Sequence, residues 1–162
     1  VAKAESKSCV VPWRDVILDV PIGVGAGGAV FAAHYAGVKC AIKVLHRARV
    51  NEASTAALVE ECELMLQLRH PNVLQTFGLA SDGAGRHGIL MELQEASLSE
   101  LLQAETPAAP LRWREPLLRI ATDVARGVAH LHARNILHRD LKPCAAPRPP
   151  PEGWVHPQLV PQ

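Results

Sequence analysis

The segment Gly23-Val24-Gly25-Ala26-Gly27-Gly28-Ala29-Val30 constrains the fold most, because β-type sequence lies on both sides of it. Val16-Ile17-Leu18 leads into the glycines, and Ala29-Val30-Phe31-Ala32-Ala33-His34-Tyr35 leads out. The pattern G-x-G-x-x-G-x-V lets backbone amides approach phosphate oxygens with no Cβ in the way. A dinucleotide-binding Rossmann unit needs a helix directly after its glycines and an acidic residue about 20 positions on. Here a strand-like run follows, and the residue 20 positions after Gly23 is Lys43. A plain flexible hairpin turn stands as the alternative to a phosphate loop.

A turn at Ala36-Gly37 separates that run from a second one, Val38–Leu45. Short β runs split by glycine turns predict an antiparallel meander. Over residues 52–68 the period changes, and Ala57, Leu58, Leu64, Met65 and Leu68 fall on a helical stripe that His70-Pro71 ends. Two further strands are expected at 73–79 and 87–93, joined by the turn Ser81-Asp82-Gly83-Ala84-Gly85. A short helix fits 98–103, and Thr106-Pro107-Ala108-Ala109-Pro110 reads as a linker. The strongest helical pattern covers 115–133, where Leu117, Ile120, Ala121, Val124, Val128 and Leu131 recur and Pro116 suits a first turn. Residues 1–15 read as a loose flank. Residues 144–162 hold six prolines in 19 positions and read as a disordered or polyproline-like tail. Within it, Pro147-Arg148-Pro149-Pro150-Pro151 would suit an SH3-type groove, against a structureless tail.

A chain of 162 residues, 48% apolar and 20% charged, is long enough for one soluble domain with a core. Its net charge of +1 argues against a nucleic-acid partner. Cys9, Cys40, Cys62 and Cys144 form no C-x-x-C pair, which fits reduced thiols in a cytoplasmic protein better than a disulfide frame or zinc site. No apolar run reaches about 18 residues, so no membrane span is expected. The chain opens at Val1 with no signal-like stretch, as an internal piece of a longer protein would.

Two more segments carry chemistry. Cys40-Ala41-Ile42-Lys43 sets a lysine in an apolar strand; a buried ammonium needs a partner, whereas an edge strand would expose it. His138-Arg139-Asp140-Leu141-Lys142-Pro143 follows directly on the amphipathic run. Its carboxylate suits taking a proton from a hydroxyl, and its lysine suits steadying a phosphate.

Taken in order, the loop, Lys43, the helix, the strand end Met91-Glu92-Leu93-Gln94 and the His138–Pro143 motif resemble the protein kinase domain. The stretches Arg69-His70-Pro71-Asn72-Val73-Leu74 and Ile120-Ala121-Thr122-Asp123-Val124-Ala125-Arg126-Gly127 resemble its tyrosine-kinase-like branch of Ser/Thr enzymes. The resemblance covers 16–143. It implies an α+β fold: an N-lobe at 16–91 with a five-stranded antiparallel sheet and one αC helix, a hinge at 92–95, and a partial helical C-lobe at 96–143. The domain would be cut just past its catalytic loop.

The resemblance also implies roles. Gly23, Gly25, Gly28, Val30 and Ala41 would cover ATP, Met91 would be the gatekeeper, and backbone groups from Glu92 to Gln94 would hold adenine. Lys43 would hold the α- and β-phosphates and pair with Glu61 on the helix, although Glu60, Glu61 and Glu63 also suit a plain solvated acidic face. Asp140 would accept the substrate proton and Lys142 would steady the phosphate. His138 would be scaffold, and Arg139 would meet an activation loop. Lys142, two places after Asp140, marks a Ser/Thr rather than a Tyr kinase.

The pattern departs from the family after Pro143. A metal-binding asparagine is expected five residues after Asp140, where this chain has Ala145, and no Asp-Phe-Gly follows. An alanine methyl cannot ligate Mg²⁺. The implied function is ATP-dependent phosphorylation of Ser/Thr hydroxyls on protein substrates, with Mg²⁺ expected but its ligands missing. The alternative is a truncated pseudokinase acting as a scaffold, or a tail read in a wrong frame. Self-association through the 115–133 helix is the other implied partner contact.

Overall fold

The computed structural model describes residues 9–25, 28–46, 52–103 and 117–143. They fall into two units. A sheet unit takes residues up to Gln67 and again Gln75–Leu93; a helical unit takes Leu68–Leu74 and the residues from Gln94 on. The expected hinge, 92–95, spans the division after Leu93.

The sheet unit has six strands: β1 (Val10–Pro12), β2 (Val16–Gly25), β3 (Gly28–Tyr35), β4 (Val38–Leu45), β5 (Thr76–Ser81) and β6 (His87–Met91), in spatial order β1-β5-β6-β4-β3-β2. Five of them form the expected antiparallel set. The sixth corrects the five-strand reading: β1 pairs in parallel with β5, Val10 opposite Leu79 and Pro12 opposite Ser81. Its three residues lie in the flank read as loose. Two β-branched valines give it strand character, and Pro12 is tolerated because β1 is an edge strand. A 3₁₀ turn, Trp13–Asp15, links it to β2.

The β3–β4 hairpin closes through Ala36 (φ 49°) and Gly37 (φ 79°). Positive φ at both central residues matches the twist of the flanking strands. One face of the sheet closes over Val11, Val16, Phe31, Cys40, Ile42, Val44, Ala80 and Leu90, with Trp13, Leu18 and Tyr35 packed against them. Gly88 leaves room there: a Cβ would sit 2.7 Å from Ile42 Cδ1 and 3.2 Å from the Trp13 ring. The Arg86 guanidinium lies 5.2 Å from the centre of that ring and so pins the 3₁₀ turn to the turn between β5 and β6.

Helix α1 (Glu52–Leu66) covers the other face beside β5. It meets the sheet through Leu58, Val59, Cys62 and Leu66, packed with Cys9, Leu79 and Ile89. This corrects the sequence stripe: Ala57 is exposed, and Leu64 is 45% exposed. Cys62 behaves as a small apolar residue and sets the buried face.

In the helical unit, α2 (Leu98–Gln103) opens on a capping box. Ser97 Oγ accepts from Glu100 N–H at 3.2 Å, while Glu100 Oε2 accepts from Ser97 N–H at 2.6 Å. Helix α3 (Leu118–His132) lies within the strong helical pattern; Glu115 and Pro116 fall outside the described residues. It buries Gly127 and Leu131. A Cβ on Gly127 would stand 2.4 Å from Asn72 O, so glycine lets α3 come against the 68–74 segment. The helix ends in a Schellman turn. Ile136 N–H donates to Leu131 O (3.0 Å), Asn135 N–H to His132 O (2.9 Å), and Asn135 takes φ 59°.

Candidate functional site

Strand register assembles a candidate site within the sheet unit. Opposed residues of an antiparallel pair share a face, so the pairs Gly23–Val30, Val30–Lys43, Ala32–Ala41, Lys43–Ile89 and Ala41–Met91 place these residues on one side of the sheet. This is the α1 side, since Ile89 packs in the α1 cluster. Gly25 pairs with Gly28 where β2 and β3 meet at the loop tip. Ala41 is buried; Val30, Lys43 and Met91 are half-buried. The result is a shallow apolar strip of small side chains, with an ammonium at one end and Met91 at the other. That arrangement suits a flat heterocycle lying on alanine and valine with an anionic group near Lys43.

Sequence reasoning named Val30, Ala41, Lys43 and Met91 and passed over Ala32, Ile89 and Thr76, which occupy the same rows. Period-two alternation on from Val30 and back from Met91 reaches Ala32 and Ile89, whereas Thr76 joins them only through its pairing with Met91. Thr76 faces Met91 across β5 and β6, is 1% exposed, and its Oγ1 has no hydrogen-bond partner among the described residues.

The hinge residues are held locally. Glu92 N–H donates to Gln75 O at 2.9 Å, and Gln75 N–H donates to Glu92 Oε1 at 2.8 Å. This closed pair fixes the exit from β6. Gln94 is exposed in the helical unit.

Lys43 and Glu61 are not brought together: no ion pair joins them among the described residues, and Glu61 is exposed. Cys62 points into the cluster under α1, and Glu61 precedes it by one position, about 100° around the helix. Glu60 and Glu63 are exposed as well, so α1 presents all three carboxylates to solvent.

The helical unit carries its own candidate residues on the 138–143 loop. Arg139 takes φ 61°, a left-handed conformation uncommon outside glycine, and it turns the chain sharply. His138 Nδ1 accepts from Asp140 N–H at 3.3 Å, which makes the histidine part of the loop's frame. Lys142 Nζ donates to Asp140 Oδ2 at 2.8 Å. That hydrogen bond, and then the lysine's charge, hold the Asp140 carboxyl below the usual range. Asp140 is therefore an ionised acceptor at neutral pH, on an exposed loop where a hydroxyl can reach it. Its pair with Lys142 is solvated, so it organises the loop more than it stabilises the fold.

The loop leaves a helix whose base carries a histidine stack. The rings of His70 and His130 lie 4.6 Å apart, tilted by 35°. Arg134 Nη1 is 3.1 Å from His130 Nδ1. Guanidinium only donates, so this nitrogen accepts and the ring is neutral. Partial burial, then Arg134, then His70 lower the His130 pKa from its ordinary 6.5. A folded value below the unfolded one makes stability full above about pH 6.5 and lost as the pH falls below it. The melting temperature is therefore expected to drop between pH 7.5 and pH 5.5, and His130→Gln to flatten that drop. An equal drop in both chains would refute the assignment.

Among the described residues no three of His, Cys, Asp or Glu gather as metal ligands. Asp140, the best-placed carboxylate, is engaged by Lys142. Ala145 and the tail lie outside the described residues. The described residues therefore gather no Mg²⁺ ligand set.

A family model described as protein tyrosine and serine/threonine kinase matches residues 16–144. The chain is 35% identical over 139 residues to serine/threonine-protein kinase CTR1 of Arabidopsis thaliana, covering 82% of this chain and 16% of that protein. It is 33% identical over 134 residues to the probable serine/threonine-protein kinase drkD of Dictyostelium discoideum, covering 82% and 10%. The dual specificity protein kinase shkE of the same organism is 34% identical over 137 residues, with 82% and 19% covered. The chain spans less than a fifth of the length of each of these relatives.

Proposed function

The chain belongs to the protein tyrosine and serine/threonine kinase family, and on that premise we propose that it supplies the nucleotide face and catalytic loop of an ATP-dependent kinase acting on Ser and Thr hydroxyls of proteins. The observation that carries this reading is the Asp140–Lys142 pair on a loop framed by His138 and the left-handed Arg139. Asp140 orients the attacking hydroxyl and takes its proton as the oxygen bonds to phosphorus; Lys142 steadies charge on the transferring phosphoryl group. In the sheet unit, Gly23, Gly25 and Gly28 give backbone amides access to phosphate oxygens. Val30 and Ala41 cover one face of the base, Lys43 meets the phosphates, and Glu92 offers a backbone group to adenine. Glu61 becomes the partner of Lys43 only if α1 turns its acidic side inward. Kinases of this family use ATP with Mg²⁺, and the described residues gather no ligand set for the ion.

Lysine two positions after Asp140 favours Ser/Thr over Tyr; CTR1 and drkD are named serine/threonine-protein kinases, and shkE a dual specificity kinase. The dispersed cysteines support a cytoplasmic setting. Leu118 at 51% and Val124 at 39% exposure make α3 a surface for a second copy of the chain. Sizing chromatography is expected to show a dimer or larger species that Leu118→Glu dissociates, and a sharp monomer of the unaltered chain would exclude it.

The test of the function uses a chain carrying Ala145→Asn, extended after the loop by a standard kinase C-terminal segment. With labelled ATP and a mixed peptide pool it is expected to yield phosphoserine and phosphothreonine. Label on tyrosine alone, or no label on a folded, nucleotide-binding protein, would overturn the reading.

A further inference from the structure

We propose that Cys9 and Cys62 are a reversible disulfide site, joining the residue that leads into β1 to the buried face of α1.

The four cysteines are scattered in sequence, but the fold brings these two into one buried cluster with Leu79, at 4% and 1% exposure. Both are free thiols. Cys9 is held from both sides: its carbonyl accepts from Leu79 N–H at 2.8 Å, and its thiol donates to Val59 O at 3.7 Å. Val59 lies three residues before Cys62 on α1, so that contact sets the Cys9 sulfur over the helix face that Cys62 occupies. The two thiols lie close enough for each to shift the other's pKa. Cys40 is also buried, but it belongs to the cluster on the other face of the sheet.

The chemistry needs a two-electron oxidant, here a hydroperoxide. The Cys9 thiolate attacks one peroxide oxygen; the O–O bond breaks, the other oxygen leaves as water or alcohol, and Cys9 becomes a sulfenic acid. The Cys62 thiolate then attacks the Cys9 sulfur, the S–S bond forms and water leaves. In sum, two thiols and one hydroperoxide give one disulfide, one alcohol or water and one further water. Cys9 is the attacking residue because the Cys62 side chain beside it offsets part of the burial that raises its pKa. Burial raises Cys62 further, and the Cys9 charge adds to it. Both thiols therefore stay protonated at neutral pH, and the reaction is slow there and faster in alkali. The bond would fix the rotation of α1, the helix that carries Glu61. This inference stands on the cysteine geometry alone and does not depend on the kinase reading.

The experiment treats the full chain carrying Cys40→Ala and Cys144→Ser with hydrogen peroxide at pH 7.0 and 8.5, blocks remaining thiols, and maps peptides without reduction. The expected product is an intramolecular Cys9–Cys62 link, lighter by two hydrogen atoms, formed about tenfold faster per pH unit. Its melting temperature should rise by about 5 °C or more and return on adding dithiothreitol. The unaltered chain is mapped in parallel, so that a fold disturbed by the substitutions does not decide the result. A Cys9–Cys62 link in either chain, absent after Cys9→Ser, supports the proposal. Links only between molecules, links only to Cys40 or Cys144, or thiols unchanged where free cysteine is oxidised would overturn it.

Discussion

Gly28→Ala is expected to unfold the sheet unit. Gly28 takes φ 141°, which L side chains rarely adopt, and a Cβ there would lie 2.0 Å from the Val44 carbonyl oxygen and 3.2 Å from Leu45 Cα. Those are backbone atoms of the neighbouring strand, where Gly28 pairs with Leu45, and they cannot swing aside as a side chain can. Strain and overlap together place the cost at about 4 kcal/mol or more. A domain of this kind has a net stability of roughly 5–15 kcal/mol. Thermal melts by circular dichroism should show a loss of cooperative unfolding or a fall of more than about 10 °C. Gly37→Ala is the control. Its φ of 79° is also left-handed, but nothing lies within 4 Å of the added carbon. It should cost only about 1–2 kcal/mol. Equal effects would mean that strain alone matters and that the glycine loop is not wedged against β4.

The second large effect falls on turnover. In the extended chain carrying Ala145→Asn, Asp140→Asn should lower kcat by about 10²–10⁴-fold while the KM for ATP stays within about twofold. The amide keeps the shape of the carboxylate but cannot take the substrate proton. It also loses the charge that draws Lys142 to 2.8 Å. Asp140 is exposed, so the substitution leaves the melting temperature unchanged and a loss of rate cannot be put down to unfolding. Lys142→Ala should lower the rate as well and also raise the Asp140 pKa, since Lys142 is the main cause of its depression. That variant should need a higher pH for full rate. A pH profile identical in both proteins would separate Lys142 from Asp140.

Much of this fold was legible because its strands are short and glycine-punctuated. The runs around Ala36-Gly37 set the β3–β4 hairpin, and the short helix expected at 98–103 forms there. The first strand was not legible. Three residues carry no period, and β1 is a strand only because β5 offers it an open edge. The buried face of α1 was misread because Cys62 anchors it while Leu64 stays in solvent. For the site, the types of Lys43 and Asp140 were visible in sequence, but their company was not. Register supplies Ala32, Ile89 and Thr76 as neighbours, and it depends on pairing across strands far apart in the chain. The meeting of Cys9 and Cys62 has the same origin. The separation of Lys43 from Glu61 is a matter of helix rotation, which side-chain packing under α1 decides and motif spacing does not.

The central claim, that the sheet face bearing Val30, Ala41 and Lys43 holds an adenine nucleotide, is tested most directly by titrating ATP into the 162-residue chain in a calorimeter, with and without Mg²⁺. Weak binding is expected, changed little by Mg²⁺ because the described residues gather no metal site, and weakened at least tenfold by Ala41→Phe on a chain that still melts cooperatively. Absence of binding by the folded chain at millimolar ATP, or binding indifferent to Ala41→Phe, would contradict the nucleotide face; tight binding that requires Mg²⁺ would contradict the account of the metal.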